Sequence, residues 1–196
     1  MAIDKFTKLP EVTPIIKAKK NSVLKFIKDL VARYGVPNRI ITDNGTQFTS
    51  YLFGDYCEDM GIKLCFASVA HPCSNGQAMR DNVEILKGLK TRTYNKLKNH
   101  GTGWIDELPA VVWANRTTPS RTTGETPFFL IYGADAVILA EVTLGSTRVR
   151  AYNEEDQDQL RQHDILYLEE VRCRAAVRAA RYQQALRRYH QRHVRL

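Results

Sequence analysis

Ile40-Ile41-Thr42-Asp43-Asn44-Gly45-Thr46-Gln47-Phe48 and Ala70-His71-Pro72-Cys73-Ser74-Asn75-Gly76-Gln77-Ala78-Met79 bracket the stretch that decides the fold. The apolar run Ile40–Thr42 predicts a strand that delivers Asp43 to its carboxyl end. Asn44-Gly45 then turns the chain sharply, since both residues tolerate positive φ. An acid at a strand end beside a tight turn is well placed to face a metal ion. His71-Pro72 and Asn75-Gly76 predict a loop that opens a helix.

These motifs resemble the integrase core of long-terminal-repeat retrotransposons, of the plant Ty3/gypsy-like type. In that family Asp-Asn-Gly-x-x-Phe holds the second catalytic Asp, here Asp43. The loop His-Pro-x-Ser-Asn-Gly-Gln-Ala-Glu holds the catalytic Glu, with thirty-five residues between the acids. That Glu falls 36 positions after Asp43, on Met79. The resemblance implies two Mg²⁺ or Mn²⁺ ions clamped by three carboxylates, one activating water or a DNA 3′-hydroxyl and the other stabilising the leaving oxygen. Mg²⁺ requires hard oxygen ligands, and a thioether is soft and neutral. On a helix, Asp81 lies about 160° around from position 79 and Glu84 about 140°, so neither replaces the acid. Asp43 is thus a remnant of a catalytic and metal-binding set, and Met79 marks its lost member.

Towards the N-terminus, Ala2-Ile3-Asp4-Lys5-Phe6-Thr7-Lys8 reads as a strand end, with Glu11–Ile16 returning as a hairpin. The segment resembles the family's hairpin, in which the Asp corresponding to Asp4 is non-catalytic. By the same resemblance the first catalytic Asp belongs to a strand before this hairpin. The sequence therefore reads as an N-terminally truncated piece of a polyprotein, without the family's zinc domain. Loss of that central strand leaves two backbone edges, which either pair with each other or recruit another molecule.

The middle of the chain alternates helix and strand, an α/β pattern. Ser22 is placed to cap a helix to Tyr34, with Val23, Phe26, Ile27, Leu30, Val31 and Tyr34 as its apolar stripe. Gly35 and Pro37 end it. Thr49 or Ser50 opens a second helix with Leu52, Phe53, Tyr56, Cys57 and Met60 on its buried face. Ile62–Phe66 reads as a strand. The next helix runs from about Gln77 to Lys98, with Val83, Leu86, Leu89, Tyr94 and Leu97 as apolar positions. Ser74, Asn75, Gly76 and Gln77 match the family loop, and the resemblance makes them DNA contacts; read alone, they are a polar turn. Lys87 and Lys90 share a face that either tracks a phosphate backbone or simply carries solvent. Trp104–Arg116 reads as a mostly buried helix, with Trp104 and Trp113 as anchors. Thr122–Gly133 follows the family run Thr-Gly-Glu-Thr-Pro-Phe, with the last core helix from near Pro127 to Gly133.

The fold expected is therefore an RNase H-like α/β core lacking its first strand, over residues 1–142. A linker at 143–152 and a basic helical arm at 153–196 follow. Asn153 caps the arm, with acids in its first turn and arginines at its end, an order that suits the helix dipole. Arg174, Arg178, Arg181, Arg188, Arg192 and Arg195 form a basic stripe with three open readings: DNA phosphates, an acidic partner, or solvent. Leu166, Cys173, Val177 and Ala180 form a separate apolar line.

The formal net charge of +8 makes a polyanion a reasonable partner. Four cysteines without a C-x-x-C pair suggest neither a zinc site nor a disulfide framework, and reduced thiols place the chain inside the cell. No stretch reaches transmembrane length. The resemblance implies DNA as partner, homo-oligomers, and the nucleus as the place of action. Three functional readings follow: an integrase core with a degenerate, inactive site; a non-catalytic DNA-binding or interaction module; and an enzyme completed by another chain's acids.

Overall fold

A computed structural model describes residues 1–17, 19–67, 76–93, 103–150, 153 and 157–193. The chain divides into two compact units, Met1–Ala2 with Glu11–Leu108, and Ile3–Pro10 with Pro109–Leu196.

In the first unit, α1 (Lys20–Tyr34), β3 (Arg39–Thr42), α2 (Tyr51–Asp59), β4 (Lys63–Phe66) and α3 (Gly76–Thr93) follow in order. β3 and β4 pair in parallel, Ile40 beside Leu64 and Thr42 beside Phe66. A parallel pair needs a crossover, and α2 supplies it. The core is Val23 and Ile27 from α1, Phe53 and Cys57 from α2, and Ile62, with Phe26, Leu30, Val31, Ile40 and Leu64 packed around them. Phe48 meets Phe53 edge to face at 5.8 Å. Gly35, at φ 82°, closes α1 by donating its amide to the Val31 carbonyl. Glu11 is buried, and its carboxylate is met by Arg33 at 2.7 Å and the Tyr34 hydroxyl at 2.6 Å.

Several details differ from the sequence expectation. α1 starts at Lys20, so Ser22 lies inside it and caps nothing. Ser50 precedes α2, but its hydroxyl donates to the Gln47 carbonyl instead of accepting from the helix. Leu52 is exposed, because the buried line of α2 runs through Phe53 and Cys57. On α3 the buried residues are Ile85, Leu89 and Thr93, while Val83 and Leu86 are about half exposed. The expected extension of α3 through Tyr94 and Leu97 lies outside the described residues.

The hairpin strands are shorter than expected: β1 (Ala2–Ile3) and β2 (Pro10–Glu11) form a two-stranded sheet. The turn between them explains why. Asp4 Oδ1 accepts from the Phe6 amide at 3.1 Å, the Thr7 amide at 2.6 Å and the Thr7 hydroxyl at 2.7 Å. Lys8 takes φ 66°, which ends the extended run. Asp4 is occupied in folding this turn. Among the described residues the hairpin does not pair with β3.

The second unit holds α5 (Pro127–Tyr132), α6 (Leu139–Leu144), α7 (Thr147–Arg150) and α8 (Gln157–His193). α4 (Gly103–Thr117) runs from the first unit into it. α5 has the expected ends. The Thr126 hydroxyl accepts from the Phe129 amide at 3.0 Å, Pro127 occupies the first turn, and Gly133 stops the helix at φ 76°. The core of this unit is Leu130, Val171 and Ala175, with Phe6 and Phe129 against them. Arg172 clamps α5 to α8, its Nε and Nη2 both donating to the Leu130 carbonyl, at 3.0 Å and 2.9 Å. The expected apolar line of α8 is the wrong face. Leu168, Val171 and Ala175 are buried, whereas Leu166, Cys173, Val177 and Ala180 are exposed. Trp113 packs edge to face on Phe128 at 5.7 Å, yet keeps 38% of its surface exposed, so it is a partial anchor.

Candidate functional site

β3 does what its sequence promises. It ends at Thr42, whose carbonyl accepts from the Ala67 amide at 2.7 Å, so the carboxyl ends of both strands are held together. Asp43 is the first residue beyond and is exposed. Its Oδ1 accepts from the Gly45 amide at 3.1 Å, an Asx turn that aims the carboxylate across the strand end. Neither Asn44 nor Gly45 takes the positive φ expected of this turn; a Cβ on Gly45 would press on Gln47 Nε2, the movable end of that side chain, and stand 3.0 Å from Asp43 Oδ1. Asn44 Nδ2 reaches the Ala67 carbonyl at 3.5 Å, tying the turn to the end of β4. The hydroxyl of Thr42 is buried and has no hydrogen-bond partner among the described residues. Sequence reading missed the Asn44 tie and the Thr42 hydroxyl. The Asn44 tie had a signal, an amide side chain in a turn next to a strand end; the Thr42 hydroxyl had none.

Gly76 and Gln77 open α3 and are half-buried; Ser74 and Asn75 lie outside the described residues. Met79, in the first turn, exposes 61% of its surface. It lies about 120° around the helix from Ile85, off the line by which α3 packs. Lys87 and Lys90 are exposed on α3. Cys57 is not a nucleophile candidate: it sits in the core, and burial pushes its thiol up from the ordinary value.

A two-metal centre requires a cluster of hard, charged ligands. Among the described residues no three His, Cys, Asp or Glu side chains gather in a way that could hold a metal ion. Asp43 supplies one carboxylate, and Met79 supplies a neutral thioether on an exposed turn. These residues do not fit a Mg²⁺ or Mn²⁺ pair.

A parallel strand pair crossed over by a helix, with an acid at the strand end and a helix opened by Gly-Gln, is an α/β core that presents Asp43 at its carboxyl edge. Residues 1–72 match the integrase core domain family. The chain is 30% identical over 132 residues to the Gag-Pol polyprotein of Walleye dermal sarcoma virus, which covers 67% of this chain and 7% of the polyprotein. Its fold matches the magnesium-bound catalytic core of HTLV-2 integrase with a TM-score of 0.54, at 21% identity, over 66% of this chain and 81% of that one. It also matches a chain of the simian T-cell lymphotropic virus intasome, solved in complex with PP2A regulatory subunit B56 gamma, with a TM-score of 0.59 at 20% identity, over 70% of this chain and 48% of that one. The chain spans between 7% and 12% of the length of curated relatives that include retroviral polyproteins and a Caenorhabditis elegans protein. It carries an integrase core domain, of the family related to DNA integration.

Proposed function

We propose that this chain is a DNA-associated integrase core of the Ty3/gypsy-like retrotransposon type whose strand-transfer centre has been lost. The observation that carries the reading is Met79. At the position where the motif calls for a carboxylate there is an exposed thioether, and among the described residues no three-ligand group surrounds Asp43. What remains is the scaffold: the strand pair, the Asp43 turn and the Gly76-Gln77 helix start.

In this reading Ser74, Asn75, Gly76 and Gln77 contact the DNA backbone, and Lys87 and Lys90 extend that contact along α3. Residues 1–142 act as the core, 143–152 as the linker and 153–196 as a basic arm whose arginines add phosphate contacts. Action on DNA places the protein in the nucleus. Binding of this kind is independent of sequence and releases counterions, so it weakens steeply with salt.

The test is duplex retention by the purified chain across a salt series, with two unrelated sequences. The expected result is equal affinity for both and a loss of about tenfold or more between 50 and 200 mM salt. Lys87→Ala with Lys90→Ala reduces the salt slope, and Asp43→Ala leaves it unchanged. Affinity that is flat with salt, or that prefers one sequence, overturns the reading.

A further inference from the structure

The second unit uses one face of α8 and leaves another bare. Leu168, Val171 and Ala175 are buried against Leu130. About 120–180° around the helix from Leu168 stand Leu166, Cys173, Val177 and Ala180, spaced seven, four and three residues apart. All four are exposed, Leu166 to 76% and Val177 to 52%. Seven-four-three spacing is the seam by which two helices pair, and among the described residues nothing buries it.

The charges along the same helix are sorted by position. Within α8, residues 157–170 carry four acids and one arginine, whereas 171–193 carry seven arginines and no acid. The whole chain has a formal net charge of +8, so residues 1–170 sum to zero and all the excess sits in the last 26. The helix is therefore an acidic block followed by a basic block, and its bare apolar line crosses the junction between them.

A second copy of the same helix, running the other way, satisfies both features. Its acidic block lies beside the first copy's basic block, and the two apolar lines meet with Cys173 near the two-fold axis. A parallel pair would set seven arginines beside seven. Duplex DNA would neutralise the basic block, but it would leave Leu166 and Val177 in water and be repelled by the acidic block. We propose that α8 is a self-association element that forms an antiparallel, two-fold pair between copies of this chain through Leu166, Cys173, Val177 and Ala180. The small side chains of Cys173 and Ala180 allow close approach at the centre. The apolar area is small, so the pair is weak and depends on its charges, which makes it salt-sensitive. Arg174, Arg178 and Arg181 lie about 40–160° around from this seam; Arg174 stands 3.9 Å from Glu170 and Arg178 3.7 Å from Glu125.

The experiment is sedimentation of the full chain without nucleic acid, so that its outcome is separate from DNA binding. A dimer is expected at low salt that weakens about tenfold at moderate salt. Val177→Glu is expected to make the chain monomeric with an unchanged far-ultraviolet circular dichroism spectrum. With Cys173 at the axis, Asp158 of one copy lies opposite Arg187 of the other, so Asp158→Arg and Arg187→Glu each dimerise poorly alone and are expected to pair when mixed. A short bis-maleimide joins Cys173 to Cys173 in the wild type, and Cys173→Ser removes that product. A chain that stays monomeric at low salt, a dimer untouched by Val177→Glu, or a dimer linked through Arg181→Cys to itself in place of Cys173 overturns the proposal. So does a dimer that appears only when duplex DNA is added.

Discussion

Removing the Arg172 guanidinium should loosen α8 from α5 by an amount that the geometry sets. Its Nε and Nη2 meet the Leu130 carbonyl at 3.0 and 2.9 Å, and Nη2 also reaches the Ile131 carbonyl at 3.4 Å. These carbonyls belong to the last turn of α5, where acceptors lack helical partners. Gly133 already gives its amide to the Phe129 carbonyl, so Arg172 supplies donors that the turn otherwise takes from water. Hydrogen bonds from a charged donor contribute about 1.5–3 kcal/mol. The side chain is 34% exposed, so water recovers part of this, and Arg172→Ala should cost about 2 kcal/mol. Arg172→Lys keeps the charge but loses the fork, and should cost about 1 kcal/mol. The neighbouring Glu169 lies 3.1 Å away and is 69% exposed, so Glu169→Gln should cost less than about 0.5 kcal/mol. Urea unfolding followed by fluorescence in a Trp104→Phe background reads the second unit through Trp113, which rests on Phe128. Equal stability of Arg172→Ala and the wild type, or a Glu169→Gln loss as large as that of Arg172→Ala, would refute the clamp.

Asp4→Ala removes the acceptor of three hydrogen bonds at 2.6–3.1 Å; unfolding should show a loss of about 1–2 kcal/mol, while Asp4→Asn, which keeps a carbonyl oxygen there, should lose less. Thr126→Ala deletes the cap on Phe129 and should cost about 1 kcal/mol in the same assay, with Thr126→Ser restoring most of it. Burial raises the Cys57 thiol above its ordinary value of 9.0. The folded state therefore favours the protonated thiol, its contribution is complete below the unfolded value, and it fades as pH rises through the higher folded one. Stability should fall in alkali less steeply for Cys57→Ala than for the wild type, and at neutral pH a maleimide should label exposed Cys173 long before Cys57.

The order of strands and helices was legible because it rests on local chemistry. The Ile40–Thr42 run, the Gly35 stop, and the Thr126, Pro127 and Gly133 punctuation of α5 each have a mechanism within a few residues. What stayed hidden depends on partners far along the chain. The phase of α8 was misread because Leu166, Cys173, Val177 and Ala180 are as apolar as Leu168, Val171 and Ala175, and only the fit against Leu130 selects between the two faces. The hairpin strands were drawn too long because a single side chain, Asp4, outcompetes the ladder for the amides of Phe6 and Thr7. At the candidate site, the place of Asp43 at a strand end was readable from Ile-Ile-Thr followed by Asn-Gly. The approach of the Gln47 side chain to Gly45 was not, since it depends on where that side chain turns.

The central claim is that this scaffold no longer joins DNA, and a joining assay tests it most directly. The purified chain is incubated with a labelled duplex that mimics a retroelement end, with Mg²⁺ and separately with Mn²⁺, beside Asp43→Ala. The account predicts no strand-transfer product above the Asp43→Ala level with either metal, at protein concentrations that retain the duplex. Metal-dependent product from the unaltered chain that disappears in Asp43→Ala would contradict it.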